Sequence, residues 1–169
     1  MDKAQEFLFG LDKFKFSPDS TPPTELGYIE EGSFDLGGQA GETVEVNASQ
    51  VKGSPVLVIP KKNGSIKPTF DLIQIVYTQL VKVMGGNIKG TPQVPTGWEA
   101  PSGLANVSGH AQIETDSGHL IDIPKAQVTA YPSDKLSLDG VAKIKVTVTP
   151  IQSAPGVAPY SISDIPPVG

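Results

Sequence analysis

Cysteine and arginine are both absent from this 169-residue sequence. Without cysteine there is no disulfide scaffold, no thiolate metal site and no cysteine nucleophile. The same absence fits a reducing compartment. All 13 basic residues are lysines, set against 18 acids, for a net charge of −5. Proteins that grip nucleic acid show a basic face and use arginine for bidentate phosphate contacts, which makes this chain a poor candidate for clamping DNA. No segment approaches 18 uninterrupted apolar residues, which argues against a membrane-spanning helix. The start, Met1-Asp2-Lys3-Ala4-Gln5-Glu6, has no long apolar run behind it, which predicts no signal peptide. Charged residues make up only 18%, below the usual quarter or so. That share argues against a disordered polyelectrolyte.

Glycine and proline are abundant instead. Eighteen Gly and 16 Pro are roughly a fifth of the chain, where average usage gives about 12%. Proline inside a helix costs about 3 kcal/mol, so a helix bundle is excluded and short strands joined by turns are expected. The length suits one domain with a core of its own. Charge is unevenly spread: residues 1–50 hold 3 lysines and 10 acids, and residues 51–150 hold 10 lysines and 7 acids. Such a chain could dock head to tail with copies of itself.

Residues 1–24 read as an arm carrying Phe7, Phe9, Phe14 and Phe16, four of the six phenylalanines. The breaker cluster Ser17-Pro18-Asp19-Ser20-Thr21-Pro22-Pro23 follows. The rings must be buried on their own domain or on a neighbouring subunit. Residues 26–36 and 42–48 predict strands around a Gly37–Gly41 turn. Val56-Leu57-Val58-Ile59, between Pro55 and Pro60, predicts a short buried strand. Lys61-Lys62-Asn63-Gly64-Ser65 then reads as a hairpin tip, because Asn-Gly tolerates positive φ.

Leu72, Ile73, Val76, Tyr77, Leu80, Val83 and Met84 recur at helical spacing. They predict one helix over about 69–84, capped by Thr69 or Asp71 and ended by Gly85-Gly86; the β-branched residues make a strand the competing assignment. A Pro/Gly loop over 87–103 carries the single tryptophan, Trp98, as a core cap or an interface anchor. Strands are predicted near 104–114, 119–123, 126–131 and 141–149. The Pro/Ser/Gly-rich tail, 151–169, carries Tyr160, Ile162 and Ile165, which suggests docking. The expected fold is mainly β: a β-sandwich or small β-barrel with one flanking helix and extended N- and C-terminal arms around a 25–150 domain.

Catalytic constellations are sparse. His110 and His119 lie in a near-repeat, Ser-Gly-His, flanking a predicted hairpin turn. With Glu114, Asp116 and Asp122 nearby, a two-His-carboxylate metal site is conceivable there, but no HExxH-type spacing accompanies it. Ser108 or Ser117 with a histidine and Asp122 sketches a triad, without a GxSxG elbow. No glycine-rich phosphate loop precedes the helix. The sequence therefore predicts no enzyme, no cofactor and no metal site.

From Thr96 to Val148 the chain resembles the C-terminal half of major tail tube proteins of long-tailed bacteriophages. The residues that carry this are the Gly97-Trp98-Glu99-Ala100-Pro101-Ser102 loop and a following strand. Then come Thr115-Asp116-Ser117-Gly118-His119-Leu120-Ile121-Asp122-Ile123-Pro124-Lys125-Ala126 and a last strand, Ala142-Lys143-Ile144-Lys145-Val146. The likeness of layout extends over about 26–150. It implies a subunit of hexameric rings that stack into a tube, assembled in the host cytoplasm, with DNA passing the lumen and other tail proteins as partners. Stacking is a heterologous, non-closing contact that makes filaments, and an acidic first third facing a basic middle would supply it. On this resemblance Glu30, Glu31, Glu42 and Glu45 are lumen candidates. Phe7, Phe9, Phe14, Phe16, Lys61, Lys62, Asn63, Gly64 and Trp98 are candidates for contacts between subunits. The proline-rich tail and residues 1–24 depart from the pattern. Alternatives of other classes are a head decoration or head-completion protein and a β-sandwich binding module.

Overall fold

The computed structural model describes residues 7–19 and 22–166. The opening hexapeptide, Ser20, Thr21 and the last three residues, all discussed above as parts of the arm and tail, lie outside the described residues. The elements, in chain order, are β1 (Lys13–Ser17), β2 (Thr24–Glu25), β3 (Glu42–Val46), β4 (Leu57–Lys62), β5 (Thr69–Leu72), α1 (Tyr77–Met84), β6 (Asn87–Gly90), β7 (Pro95–Glu99), β8 (Val107–Glu114), β9 (His119–Ser133), β10 (Lys143–Pro150) and β11 (Ser161–Asp164). The chain is mainly β with a single long helix among these residues, as the composition predicts.

One antiparallel sheet dominates, ordered β2-β1-β8-β9-β10-β5, with β11 beside the first part of β9. Its inner face follows from simple alternation. Phe14 and Phe16 of β1, Ala111 and Ile113 of β8, and Ile144, Val146 and Val148 of β10 all point into the core. Phe14 and Phe16 are 2% and 0% exposed. This corrects their assignment as subunit contacts: they are core residues of a strand inside the sheet, and the arm ends where β1 begins, at Lys13.

β9 is one continuous strand where two were predicted. Gly109 pairs with Ala126 and Ala111 with Ile123, so His110 opposes both Pro124 and Lys125. This bulge accommodates Pro124, which has no N–H for the ladder. It also flips the phase: Ile121 and Ile123 face inward before it, Ala126 and Val128 after it.

The predicted 69–84 helix is two elements. Residues 69–72 form β5, paired with β10 from Thr69↔Thr147 to Leu72↔Ile144. A helix begins only at Tyr77, with Val76 as an N-cap that makes no side-chain bond. The β-branched run Ile73, Ile75, Val76 weakens a helix there, and pairing with an open strand edge wins. The predicted Gly85-Gly86 ending is present, with both φ angles positive and Gly85 N donating to Val81 O. Leu80 and Val83 press α1 onto the sheet's apolar face.

Residues 26–36 make isolated bridges, not the predicted strand. Leu26 N donates to Phe14 O at one edge of the sheet, while Glu30 N and Asp35 N donate to Asp71 O and Thr69 O at the other. The segment touches both edges, yet the sheet is not closed into a barrel. Leu26 and Phe34 add to the core, with Phe70 4.6 Å from Phe14 and 5.6 Å from Phe34 between ring centroids.

Two hairpins stand apart from this sheet. β6 and β7 pair with each other beside α1 in what was predicted as a loop. β3 and β4 pair only with each other, Val46↔Leu57 through Val44↔Ile59. Below them, bridges at Gln39↔Ser65 and Asp35↔Thr69 continue the ribbon down to the main sheet. Val56, Leu57, Val58 and Ile59 are therefore not buried: they are 51%, 52%, 49% and 45% exposed. The hairpin tip is residues 47–56. Lys61, Lys62, Asn63 and Gly64 sit on the returning leg and not at the tip, because the pairing register carries β4 through Lys62.

Candidate functional site

The histidines do not meet. His110 sits at the bulge and its Nε2 bonds Asp122 Oδ1, which also accepts from Gln112 Nε2 at 3.2 Å. His119 is at the far end of the β8–β9 ladder, where its backbone O accepts from Thr115 N. Its Nδ1 lies 2.9 Å from Ser117 Oγ. The triad sketched on Ser117 is thus divided, since Ser117 meets His119 while Asp122 meets His110, and among the described residues the Ser108 hydroxyl makes no bond to His110. Ser117 is also buried and bonded to Thr115 Oγ1 at 2.8 Å. Among the described residues no group of three or more His, Asp or Glu is placed to hold a metal ion.

What these polar groups do is hold the N-terminal arm. Phe9 N donates to Ser117 Oγ and Ser117 N donates back to Phe9 O, each at 3.2 Å. Asp12 N donates to Glu114 O at 2.9 Å. Gly10, at φ +73, lies so close to Asp116 that a Cβ there would fall 2.3 Å from Asp116 Oδ2. The arm thereby runs along the β8–β9 turn with Phe7, Leu8 and Phe9 exposed.

Between this arm and the 29–36 segment lies a cleft of about 840 Å³. Its floor is apolar, with Ile113 and Ile121 from the sheet and Phe34 from the wall. Among the described residues its charged lining is of one sign: Glu30, Glu31, Asp35 and Asp116. Glu30 is answered from outside by Lys143 Nζ at 2.8 Å, which also reaches Asp134 Oδ2 at 3.3 Å. Sequence reasoning missed this cleft. The signal was the acidic and apolar mixture Ile29-Glu30-Glu31-Gly32-Ser33-Phe34-Asp35-Leu36 facing an arm rich in phenylalanine.

The Lys135 backbone N–H, the Lys143 ammonium bonded to the carboxylate and its positive charge hold the Asp134 carboxyl below its usual 3.8. Glu30 first, then Asp134, raise Lys143 above its usual 10.5. Asp134 therefore stabilises the fold above the ordinary carboxylate range and loses that contribution as pH falls through its lowered folded value. Lys143 contributes below its ordinary value and loses that as pH rises through its raised folded one. Lys143→Met is expected to move the Asp134 midpoint up toward 3.8 without reaching it, because the Lys135 N–H remains. Carboxyl-carbon NMR titration of Asp134 checks this.

The other predicted residues are dispersed. Glu30 and Glu31 line the cleft, while Glu42 and Glu45 are exposed on β3. Trp98 is half-buried against the core and its Nε1 donates to Gly85 O at 2.8 Å, closing the C-terminal end of α1. Its geometry is that of the core cap. The tail docks through β11, with Ser161↔Asp122 to Asp164↔His119 in register, and through Tyr160 against the core.

The outer face of the main sheet is polar and mixed in sign. Lys13 and Lys15 of β1 share it with Gln112 and Glu114 of β8, with Asp122 of β9, and with Lys145 and Thr147 of β10. Lys15 Nζ and Glu114 Oε1 form an ion pair at 3.0 Å. The hairpin is the opposite kind of surface. It presents Val46, Val56, Leu57, Val58 and Ile59 on a ribbon without a partner layer. No protein-family model matches the chain, and no curated protein matches it in sequence.

Proposed function

We propose that this chain is a structural subunit that assembles with copies of itself, of the tail-tube kind that its sequence resembles: rings stacked into a hollow tube through which DNA passes. The observation that carries this is the β3–β4 hairpin. A two-stranded ribbon is marginal by itself in water, and exposed edges with apolar side chains aggregate unless a partner covers them. A chain that builds such a ribbon and leaves it bare within the monomer has a use for it between molecules. Lys61, Lys62, Asn63 and Gly64 belong to the same projecting unit and keep their role as contact candidates, on its leg. Phe7 and Phe9 keep theirs on the exposed arm.

The main sheet suits a lumen better than the scattered Glu30, Glu31, Glu42 and Glu45. Its outer face carries lysines and acids in near balance, so it neither grips nor strongly repels phosphate.

Electron microscopy of the purified protein at high concentration, in low and high salt, tests this. Hollow filaments with a regular ring repeat are expected, weaker in high salt as charged contacts are screened. The double substitution Leu57→Ser and Ile59→Ser is expected to abolish them while leaving the thermal melt unchanged. Closed rings or trimers that never stack would instead indicate a head decoration or head-completion protein.

A further inference from the structure

Asparagine is among the thermally labile residues. Its lability depends on whether the next peptide nitrogen can reach its side-chain carbonyl carbon. Four asparagines occur in the chain. Asn47, Asn87 and Asn106 precede Ala48, Ile88 and Val107, whose side chains crowd that nitrogen. Asn63 precedes Gly64, which has none.

The pair lies in the neck of the β3–β4 ribbon, in a gap between two anchored points. On one side β4 ends at Lys62, paired with Glu42. On the other, Ser65 N donates to Gln39 O at 2.9 Å and Gln39 N to Ser65 O at 2.7 Å. Asn63 and Gly64 between them are exposed and outside the ladder. Among the described residues neither the Gly64 N–H nor the Asn63 side-chain amide has a hydrogen-bond partner.

The glycine does not serve a turn. Neither residue has a positive φ, so the Asn-Gly turn geometry expected from the sequence is not adopted. Gly64 permits close approach instead. A Cβ on it would lie 3.1 Å from Gln39 O, and a Cβ on Gly41 of the other leg would lie 2.6 Å from Lys62 O and 3.0 Å from Gly64 N. Close packing of the two legs selects glycine, and it leaves a bare, unbonded peptide nitrogen next to an unbonded primary amide.

We propose that Asn63 is a site of spontaneous deamidation, and that the product loosens the neck of the hairpin. Hydroxide takes the Gly64 N–H proton. The nitrogen attacks Asn63 Cγ, a five-membered succinimide closes, and the side-chain nitrogen takes a proton from water and leaves as ammonia. Water then opens the ring. Addition at Cγ gives aspartate with the ordinary main chain. Addition at the backbone carbonyl carbon of residue 63 gives isoaspartate, whose main chain runs through Cβ and Cγ. The sum is amide and water to carboxylate and ammonium, with no change of oxidation state.

A carboxylate then stands beside Lys61 and Lys62, adding one negative charge to the net −5. In the isoaspartyl form an extra main-chain carbon lies between Lys62 and Ser65, where the legs already approach as closely as glycine allows. The Glu42↔Lys62 pair and the Gln39↔Ser65 bridge cannot both keep register. The main sheet, which β3 and β4 do not join, is untouched. This holds for the single chain, whether or not it assembles.

The purified chain is kept warm in dilute, mildly alkaline solution, and its peptides are read by mass spectrometry. Enzymatic methylation of isoaspartate separates the two products. Asn63 is expected to gain one mass unit at least about tenfold faster than Asn47, Asn87 or Asn106. Gly64→Ala, which crowds the nitrogen, and Asn63→Gln, which must close a larger ring, are each expected to slow conversion by about tenfold or more. Matching thermal melts confirm that both variants fold. Because the fold leaves both groups unbonded, the native chain should convert within about threefold of the rate in urea. In the aged protein, β3 and β4 amides are expected to exchange hydrogen about tenfold faster than in fresh protein, with those of β8 to β10 unchanged. Asn63→Asp, with the added charge but an ordinary main chain, should exchange like fresh protein.

Conversion of Asn63 no faster than that of the other asparagines would overturn the site. So would conversion more than about tenfold slower in the native chain than in urea. Aged protein whose β3 and β4 amides exchange no faster than those of Asn63→Asp would overturn the loosened neck.

Discussion

Replacing Phe70 with alanine is expected to cost about 3–5 kcal/mol of folding stability, while Leu57→Ala should change it by less than about 0.5 kcal/mol. Both residues are large, apolar and in short strands. Phe70 is 1% exposed and its ring lies between Phe14 and Phe34, where β5 joins the far edge of the sheet. Removing it leaves a cavity among rings held on three different segments, and those segments cannot all collapse into it. Leu57 is 52% exposed on a ribbon packed against nothing but its partner strand. Urea unfolding followed by circular dichroism and by the fluorescence of Trp98 measures both. A loss for Leu57→Ala approaching that of Phe70→Ala would mean that the hairpin packs on the body, and the basis for intermolecular docking would be gone.

Gly109→Ala is expected to cost about 3 kcal/mol or more. A Cβ at this position would lie 2.0 Å from Ser17 O and 2.7 Å from Pro18 Cα. Both are backbone atoms, so no rotamer change relieves the clash. β1 would have to move away from β8, and it carries Phe14 and Phe16 out of the core with it. The cost is steric, not conformational, because Gly109 is not among the positive-φ glycines. Gly53→Ala is the matched control: its Cβ would meet open space at the hairpin tip, and a change within about 0.5 kcal/mol is expected. The same denaturation curves decide it. An unaffected Gly109→Ala would show that the β1–β8 register differs from the one described.

The fold was readable where the pattern is local and repeats. Lys143 to Pro150 alternates β-branched residues with lysine and threonine, and it is a strand with the apolar half inward. The excess of glycine and proline excluded a helical protein, and Gly85-Gly86 marked where the one helix stops. Errors arose wherever a distant partner overrode a local preference. Thr69 to Leu72 carries a helical spacing, but the open edge of β10 offered a ladder and took it. Pro124 looked like a break between strands, and the bulge opposite His110 absorbed it.

The candidate site was legible in charge and hardly at all in position. An acidic first third and a lysine-bearing middle are plain from the sequence, but the fold interleaves them: Glu30, Glu31 and Asp35 line the cleft, whereas Glu42 and Glu45 share the hairpin with Lys61 and Lys62. The lysine pair was assigned to a tip because Asn63-Gly64 is a good turn. The register of β3 on β4 places the turn earlier in the chain instead, over 47–56.

By itself, then, the sequence determined a mainly β chain with one helix, the inward side of β10, and the sign of charge along the molecule. These depend on residue chemistry and on neighbours two to four positions apart. Only the tertiary structure decided that Phe14 and Phe16 are core while Phe7 and Phe9 are not, and that Val56–Ile59 stand in the open. A run of apolar residues states a need for cover. Whether the chain's own layers meet that need depends on where the rest of the backbone ends, and for this hairpin the described residues supply none.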